Sequence, residues 1–232
     1  MERRIRYKDN RFFKLYHLCY YFSKGDEQRY DRRMILDFKR GDEAAVCHLV
    51  ASAVRLMEQN KMDDDLVIVR ALSSDEVVWK SDAHRPLDRL GNSLATMYDC
   101  SYYPKILRKT KVIRAVKSFG LNGRTAELDG AYVLDDDLNL NYRPVLILDD
   151  VVTTGITACS IIKAILDVFP GAKINVFALA WTPTVRQQAY LLANDRTSNL
   201  LNEPESTYGS KNKSWVDDDF EAGLTHISVS SE

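Results

Sequence analysis

The sequence predicts an α/β fold, a mostly parallel sheet of about five strands flanked by helices. LVIVR (66–70) and VLIL (145–148) are short, continuously apolar segments, which is typical of parallel strands buried on both faces. Longer segments with apolar residues at i, i+3 and i+4 separate them, and this spacing indicates helices. The alternation predicts a sheet covered by helices on both sides, and 232 residues are enough to bury its core.

The individual elements follow from local patterns. Asp42 is placed as the N-cap of a helix over 43–60, and Pro86 lies in the first turn of a helix over 86–98. Further helices are predicted over 156–168 and 182–192, and further strands over 105–109, 130–134 and 173–180. The aromatic stretch 12–22 fits a helix or a strand, and 71–84 reads as irregular.

Charge divides the chain into three parts. Residues 1–40 hold twelve Lys and Arg against six acids and form a basic aromatic N-terminal segment. Residues 41–201 form one α/β domain. Residues 202–232 are polar and acidic, and we expect them to be a poorly ordered tail.

Composition excludes several classes of protein. No segment is apolar enough to span a membrane, and the first residues, MERRIRYKDN, lack the apolar stretch of a signal peptide. The four cysteines are far apart with no C-x-x-C pair, which argues against a zinc ribbon or a disulfide framework. We therefore expect a cytoplasmic protein with reduced thiols and no membrane association.

The most informative stretch is VLILDDVVTTGIT, residues 145–157. In parallel sheets, ligands bind beyond the carboxyl ends of the strands, where Asp149 and Asp150 are predicted to lie. The loop that follows leads into a helix, whose N-terminus is an anion site, and Gly155 lets the backbone approach the anion. Acids accept hydrogen bonds and attract cations. The segment therefore suits a ligand with a phosphate, a cis-diol and a divalent ion.

These thirteen residues resemble, without a gap, the phosphoribosyl pyrophosphate (PRPP) signature of type I phosphoribosyltransferases. The resemblance implies a Rossmann-like phosphoribosyltransferase-like domain over 41–201. It implies that Asp149 and Asp150 bind the ribose hydroxyls, and Mg²⁺ through the substrate. It also implies that residues 153–157 hold the 5-phosphate; these are Thr153, Thr154, Gly155, Ile156 and Thr157.

Within that family the chain is most similar to ComF-type competence-associated proteins. In this chain and in those proteins, a short Lys…Gly-Asp pattern precedes a helix; here it is formed by Lys39, Gly41 and Asp42. GRTAELDGAYVL (123–134) resembles an Arg-x-x-Asn-x-x-Gly-Ala-Phe segment of that family, with Glu127 in place of the Asn. The four-cysteine zinc module of that family is absent, and VIVRALSSDE matches its pyrophosphate loop poorly.

A second basic cluster, residues 80–124, holds ten Lys and Arg against three acids. The resemblance implies that this cluster supplies cations to neutralise a pyrophosphate group. Arg85, Lys109 and Lys111 are the catalytic candidates, with Lys117 and Arg124 as further cations. Purine phosphoribosyltransferases often carry an acid where this chain has Thr153, and a threonine hydroxyl is no general base near neutral pH. We therefore expect no appreciable purine transfer.

Three functions stay open on the sequence alone. The first is Mg²⁺-dependent transfer of phosphoribose from PRPP to a nitrogen acceptor. The second is a non-catalytic module that senses PRPP or a ribose 5-phosphate-containing nucleotide, or that acts in DNA uptake or a multi-protein complex. There, the basic N-terminus suits nucleic acid or an acidic protein partner. The third is a transcriptional regulator on the same fold. The sequence leaves the oligomeric state open.

Overall fold

A computed structural model describes residues 1–7, 11–22, 30–60, 65–80, 85–110, 130–134 and 138–193. The strands are β1 (Glu2–Arg6), β2 (Phe12–Tyr20), β3 (Val67–Arg70), β4 (Ser101–Tyr102), β5 (Leu107–Lys109), β6 (Tyr132–Leu134), β7 (Pro144–Val152) and β8 (Lys173–Trp181). The helices are α1 (Tyr30–Arg40), α2 (Glu43–Gln59), α3 (Pro86–Met97), α4 (Ile156–Val168) and α5 (Val185–Ala193). The predicted acidic tail, Lys111, Lys117 and Arg124 lie outside the described residues.

Six strands form the main sheet, in the order β1-β2-β8-β7-β3-β4. Only the β1–β2 pair is antiparallel. β3 and β7 are direct neighbours, in register from Val67–Val145 to Arg70–Leu148. The predicted α/β fold with a mostly parallel sheet is confirmed, with one strand more than the expected five.

Helices cover both faces of this sheet because the central strands are apolar on both sides. Leu146 and Leu148 of β7 pack in the cluster that holds α1, α2 and α3. Val145 and Ile147 face the opposite way, into the cluster built around α4. The predicted N-cap of α2 is present, since an Asp42 carboxylate oxygen accepts a hydrogen bond from the Ala45 N–H at 2.9 Å.

The N-terminal residues belong to the same sheet. β2 pairs in parallel with β8, from Lys14–Asn175 to Tyr20–Trp181, and β1 forms the edge beside it. The aromatic stretch that fitted a helix or a strand is thus a strand, because its side chains are buried continuously from Leu15 to Tyr20. The sheet includes strands from both sides of the predicted division at residue 40.

Two predicted strands lie outside the parallel sheet. β5 and β6 pair with each other, antiparallel, from Leu107–Leu134 to Lys109–Tyr132. Both segments are strands, as predicted, but they form a separate two-stranded sheet and do not join the parallel one. Three residues in each strand form an antiparallel ribbon that packs Leu107 and Tyr132 onto the α4 face of the core.

Two further expectations concern thiols and membranes. All four cysteines are free thiols in the structure. Among the described helices, none combines the length and the apolar character that crossing a membrane requires.

Gly91 offers a test of the packing between α3 and β4. A Cβ at this position would lie 2.6 Å from a ring carbon of Tyr102. Because overpacking in a closed core is destabilising, Gly91→Ala should lower the free energy of unfolding by about 1–3 kcal/mol. Urea denaturation followed by circular dichroism measures this loss. Thr96→Ala, at an exposed position of the same helix, is the control and should not be destabilised; equal stability of both variants would contradict the packing.

Candidate ribose-phosphate and anion site

The two acids of the motif lie where β7 extends past its neighbour. β3 is paired with β7 only as far as Arg70–Leu148, and the Ala71 N–H donates to the Leu148 carbonyl at 2.8 Å. β7 continues to Val152 along β8 alone. Asp149 and Asp150 are therefore part of the strand, yet they lie at the carboxyl edge of the sheet, which leaves both half-buried.

The carboxylates of this pair have different surroundings. An oxygen of Asp150 lies 3.0 Å from Lys39 Nζ at the end of α1. Asp149 accepts the Asp150 N–H at 2.8 Å. Burial, and then the negative charge of Asp150, raise the pKa of Asp149 above its ordinary value. The pair thus holds one carboxylate that is neutralised by a lysine and one whose negative charge is unfavourable.

The turn after β7 is only three residues long, Thr153 to Gly155. Gly155 has φ of 75°, in the left-handed region, and precedes α4 without a side-chain cap. A Cβ there would lie 3.7 Å from Ile5, an ordinary contact, so the glycine is required for backbone conformation and not for space. The first N–H groups of α4 have no intrahelical partner, so this end of the helix suits an anion.

A pocket of about 270 Å³ opens beside Asp150. Its walls come from the end of α1, the residues after β3 and the start of α3. The lining residues are Phe38, Lys39, Arg40, Arg70, Ser73, Arg85, Pro86, Leu87 and Asp150. Arg70 is buried, so three partly exposed cationic side chains, Lys39, Arg40 and Arg85, face the pocket together with the Asp150 carboxylate. This arrangement favours an anionic ligand.

The three catalytic candidates have different positions. Arg85 lines the pocket at the start of α3, within 3.4 Å of Glu76. Lys109 is buried, and its Nζ donates to the Ser73 carbonyl at 2.5 Å. Burial lowers the pKa of Lys109 to about 8. Lys111 lies outside the described residues. The structure thus places Arg85 in the lining of the pocket that Asp150 also lines, and it places Lys109 against the backbone of the loop at 71–76.

A buried ion network that was not predicted from the sequence lies under the loop at 71–76. The Arg70 guanidinium donates to both oxygens of Glu76 at 2.8 Å, to Asp88 at 2.5 and 3.3 Å, and to the Ala71 carbonyl at 3.0 Å. These contacts use all five of its N–H donors. Trp79 and the Tyr102 hydroxyl also donate to Asp88. An arginine at the end of an apolar strand was the available signal, because a buried guanidinium requires acids nearby.

Glu76 holds the loop as well as the arginine. Its carboxylate accepts the Ser73 N–H at 2.8 Å. Burial by itself would raise its pKa, but the hydrogen bonds from Arg70 and Ser73 outweigh burial and bring the pKa to about 2. Residues 71–76 are thus tied to the end of β3 and, through Arg70 and Asp88, to α3.

The described residues contain no group of three or more His, Cys, Asp or Glu side chains arranged to hold a metal ion. Asp149 and Asp150 are the carboxylates at the edge of the site. They fit the way in which Mg²⁺ binds to one or two carboxylates together with substrate phosphates.

No protein-family model and no curated protein matches the chain. Among solved structures, adenine phosphoribosyl transferase from Trypanosoma brucei, in complex with AMP, pyrophosphate and ribose-5-phosphate, is 9% identical over 86% of this chain and 97% of that chain, with a TM-score of 0.40. Orotate phosphoribosyltransferase from Francisella tularensis is 10% identical, with 87% of each chain covered and a TM-score of 0.35. Purine phosphoribosyltransferase from Pyrococcus horikoshii is 17% identical over 60% of this chain and 73% of that chain, with a TM-score of 0.35.

The buried network predicts a loss of stability for Glu76→Gln. Asp88 still pairs with Arg70, but the amide of Gln turns an N–H donor toward the guanidinium and leaves a buried donor without its acceptor, which costs about 1–3 kcal/mol. Chemical denaturation of the purified variant measures the loss. Asp75→Asn is the matched control, because Asp75 is adjacent, 71% exposed and 3.6 Å from Arg85; it should change stability by less than about 1 kcal/mol. Similar losses for both variants would contradict the network.

Asp149→Asn should stabilise the fold at neutral and alkaline pH. Because the folded-state pKa of Asp149 is raised, its stability contribution is present below the ordinary pKa of about 3.9 and is lost as pH rises through the folded value. The amide keeps an acceptor for the Asp150 N–H. Melting curves from about pH 4 to about pH 9 should show a gain in stability that grows by about 1.4 kcal/mol for each pH unit between the ordinary and the folded-state pKa of Asp149.

The matched control for this pH series is Asp167→Asn, which removes a 59% exposed carboxylate paired with Lys163 on α4. It should give no gain with rising pH. A stability difference for Asp149→Asn that is independent of pH, or that falls as pH rises, would refute the raised pKa.

Proposed function

We propose that the protein binds PRPP, or a ribose 5-phosphate-containing nucleotide, at the carboxyl edge of β7, and that it acts as a phosphoribosyltransferase-like protein. One observation carries the proposal. Two carboxylates, a three-residue turn and a helix N-terminus follow each other without interruption, beside a pocket lined by cations. These are complementary to a diol, a phosphate and a second anionic group.

The ribose 5-phosphate half of the ligand occupies the motif itself. Asp149 and Asp150 accept hydrogen bonds from the ribose hydroxyls. The N–H groups at the start of α4 bind the 5-phosphate, and Thr153, Thr154 and Thr157 add hydroxyl donors. The left-handed conformation of Gly155 supports this assignment, since it turns the chain into the helix within three residues.

The pyrophosphate half occupies the adjacent pocket. Arg85 and the start of α3 face it together with Ser73, so a positive helix end and a guanidinium meet there. Lys109 supports the Ser73 backbone, and Lys111 follows it in the sequence. We assign Arg85 to the ligand and Lys109 to the loop.

In this proposal, Asp149 and Asp150 would hold Mg²⁺ through the bound substrate. Burial, and then the negative charge of Asp150, raise the pKa of Asp149, and a cation nearby would favour its charged form. When bound, the metal would neutralise the pyrophosphate charge. The protein supplies the two carboxylates that orient it.

Transfer would proceed by loss of pyrophosphate from the anomeric carbon and attack by a nitrogen acceptor. The side chains at the site act by orientation and by stabilising the leaving group. Thr153 is exposed and offers no base for a purine ring proton, so the absence of purine transfer stays a prediction. A sensing role, with or without nucleic acid at the basic N-terminus, is the alternative outcome.

The test is titration calorimetry of PRPP and ribose 5-phosphate with and without Mg²⁺. The unmodified protein should bind PRPP more tightly with Mg²⁺, and the double variant Asp149→Asn, Asp150→Asn should lose that Mg²⁺-dependent binding while remaining folded. Unchanged affinity would exclude the acids as the sugar site. Pyrophosphate release with a panel of nitrogen acceptors then separates an enzyme, which turns over, from a sensor, which binds only.

A further inference from the structure

The turn between α1 and α2 gives the Lys39, Gly41 and Asp42 pattern a structural role. Gly41 has φ of 81°. Its N–H donates to the Phe38 carbonyl at 2.9 Å, and the Asp42 N–H donates to the Asp37 backbone carbonyl at 3.0 Å. Phe38 is buried beneath the sheet. The turn therefore ends α1 at a defined point, with Lys39 beside the candidate site.

Lys39 contacts the motif and also lines the adjacent pocket. Its Nζ lies 3.0 Å from an Asp150 carboxylate oxygen, and the two side chains are 42% and 35% exposed. An ion pair this exposed contributes little to stability. A lysine has a flexible stem and three donors, so it can change partners without a change in the backbone.

The pocket offers Lys39 a second partner whenever an anion is bound. Arg70 is neutralised by Glu76 and Asp88, and Arg85 lies close to Glu76 and Asp75. Of the other two cationic side chains in the lining, Arg40 pairs with Asp37 at 3.2 Å and Lys39 pairs with Asp150. Both side chains lie in the last turn of α1. Together with the N-terminus of α3, they concentrate positive charge on one side of the pocket.

We infer that Lys39 is a substrate-binding residue that exchanges Asp150 for the pyrophosphate group of the ligand. This inference rests on the proposed function and adds a residue from α1 to the site. In the unliganded protein, Lys39 neutralises Asp150 and competes with the ribose hydroxyls for its oxygens. On binding, the ribose takes Asp150, and Lys39 moves to the anion.

The exchange predicts opposite effects on the two halves of the ligand. Lys39→Met removes a charged donor from the pocket, so the affinity for inorganic pyrophosphate should fall about tenfold. The same change releases Asp150, so ribose 5-phosphate should bind equally well or up to about threefold more tightly. A lysine that only stabilises the fold would weaken both ligands together.

The experiment is titration calorimetry of inorganic pyrophosphate and of ribose 5-phosphate, separately, at low ionic strength, where charge effects are least screened. Lys14→Met is the matched control: Lys14 also forms a surface ion pair, 3.4 Å from Glu2 with 54% of its side chain exposed, but on β2. It should leave both affinities unchanged. Asp150→Asn should increase pyrophosphate affinity by about threefold, because it releases Lys39 and removes a like charge.

The two levels of proposal fail in different ways. If the unmodified protein does not bind ribose 5-phosphate, the proposed function fails, while a Lys39-dependent loss of pyrophosphate binding would still support the anion contact. If ribose 5-phosphate binds but Lys39→Met leaves pyrophosphate affinity unchanged, or weakens both ligands equally, the exchange is refuted. Absence of pyrophosphate binding by the unmodified protein refutes it too.

Discussion

β7 is paired on both sides as far as Leu148 and on one side only from Asp149 onward. The difference arises because β3 ends at Arg70, whose buried charge is satisfied by acids from other elements. Past that point, β7 exposes one edge of its backbone and carries two adjacent carboxylates into an open region. The turn, the start of α4 and the pocket are all arranged around this overhang.

Charge is handled differently above and below the loop at 71–76. Beneath it, Arg70 is fully enclosed, and all five N–H donors have protein partners. Such a group cannot bind a ligand and instead holds the loop to α3. Above it, Lys39 and Asp150 form one weak ion pair, and each of the two side chains is more than a third exposed. The buried Arg70 network thus fixes the loop, while the Lys39–Asp150 ion pair above it can change partners.

Asp149 lies next to the exposed ion pair, and its pKa is raised. The N–H of Asp150 helps to stabilise its carboxylate, but burial and the Asp150 charge outweigh that bond. A cation near this pair would favour the charged form of Asp149. Asp149 therefore links the stability of the empty protein to the binding proposed for it.

Much of this could be predicted from local pattern. The apolar runs at 66–70 and 145–148 determined two buried parallel neighbours, because a strand covered on both faces needs apolar residues at every position. Asp149, Asp150 and Gly155 were predicted to belong to one site because they are close together in the sequence. The approach of Lys39 to Asp150 and the enclosure of Arg70 by Glu76 and Asp88 were decided only by the tertiary structure. Their partners come from separate elements, and no local periodicity encodes which charges meet when helices pack on a sheet.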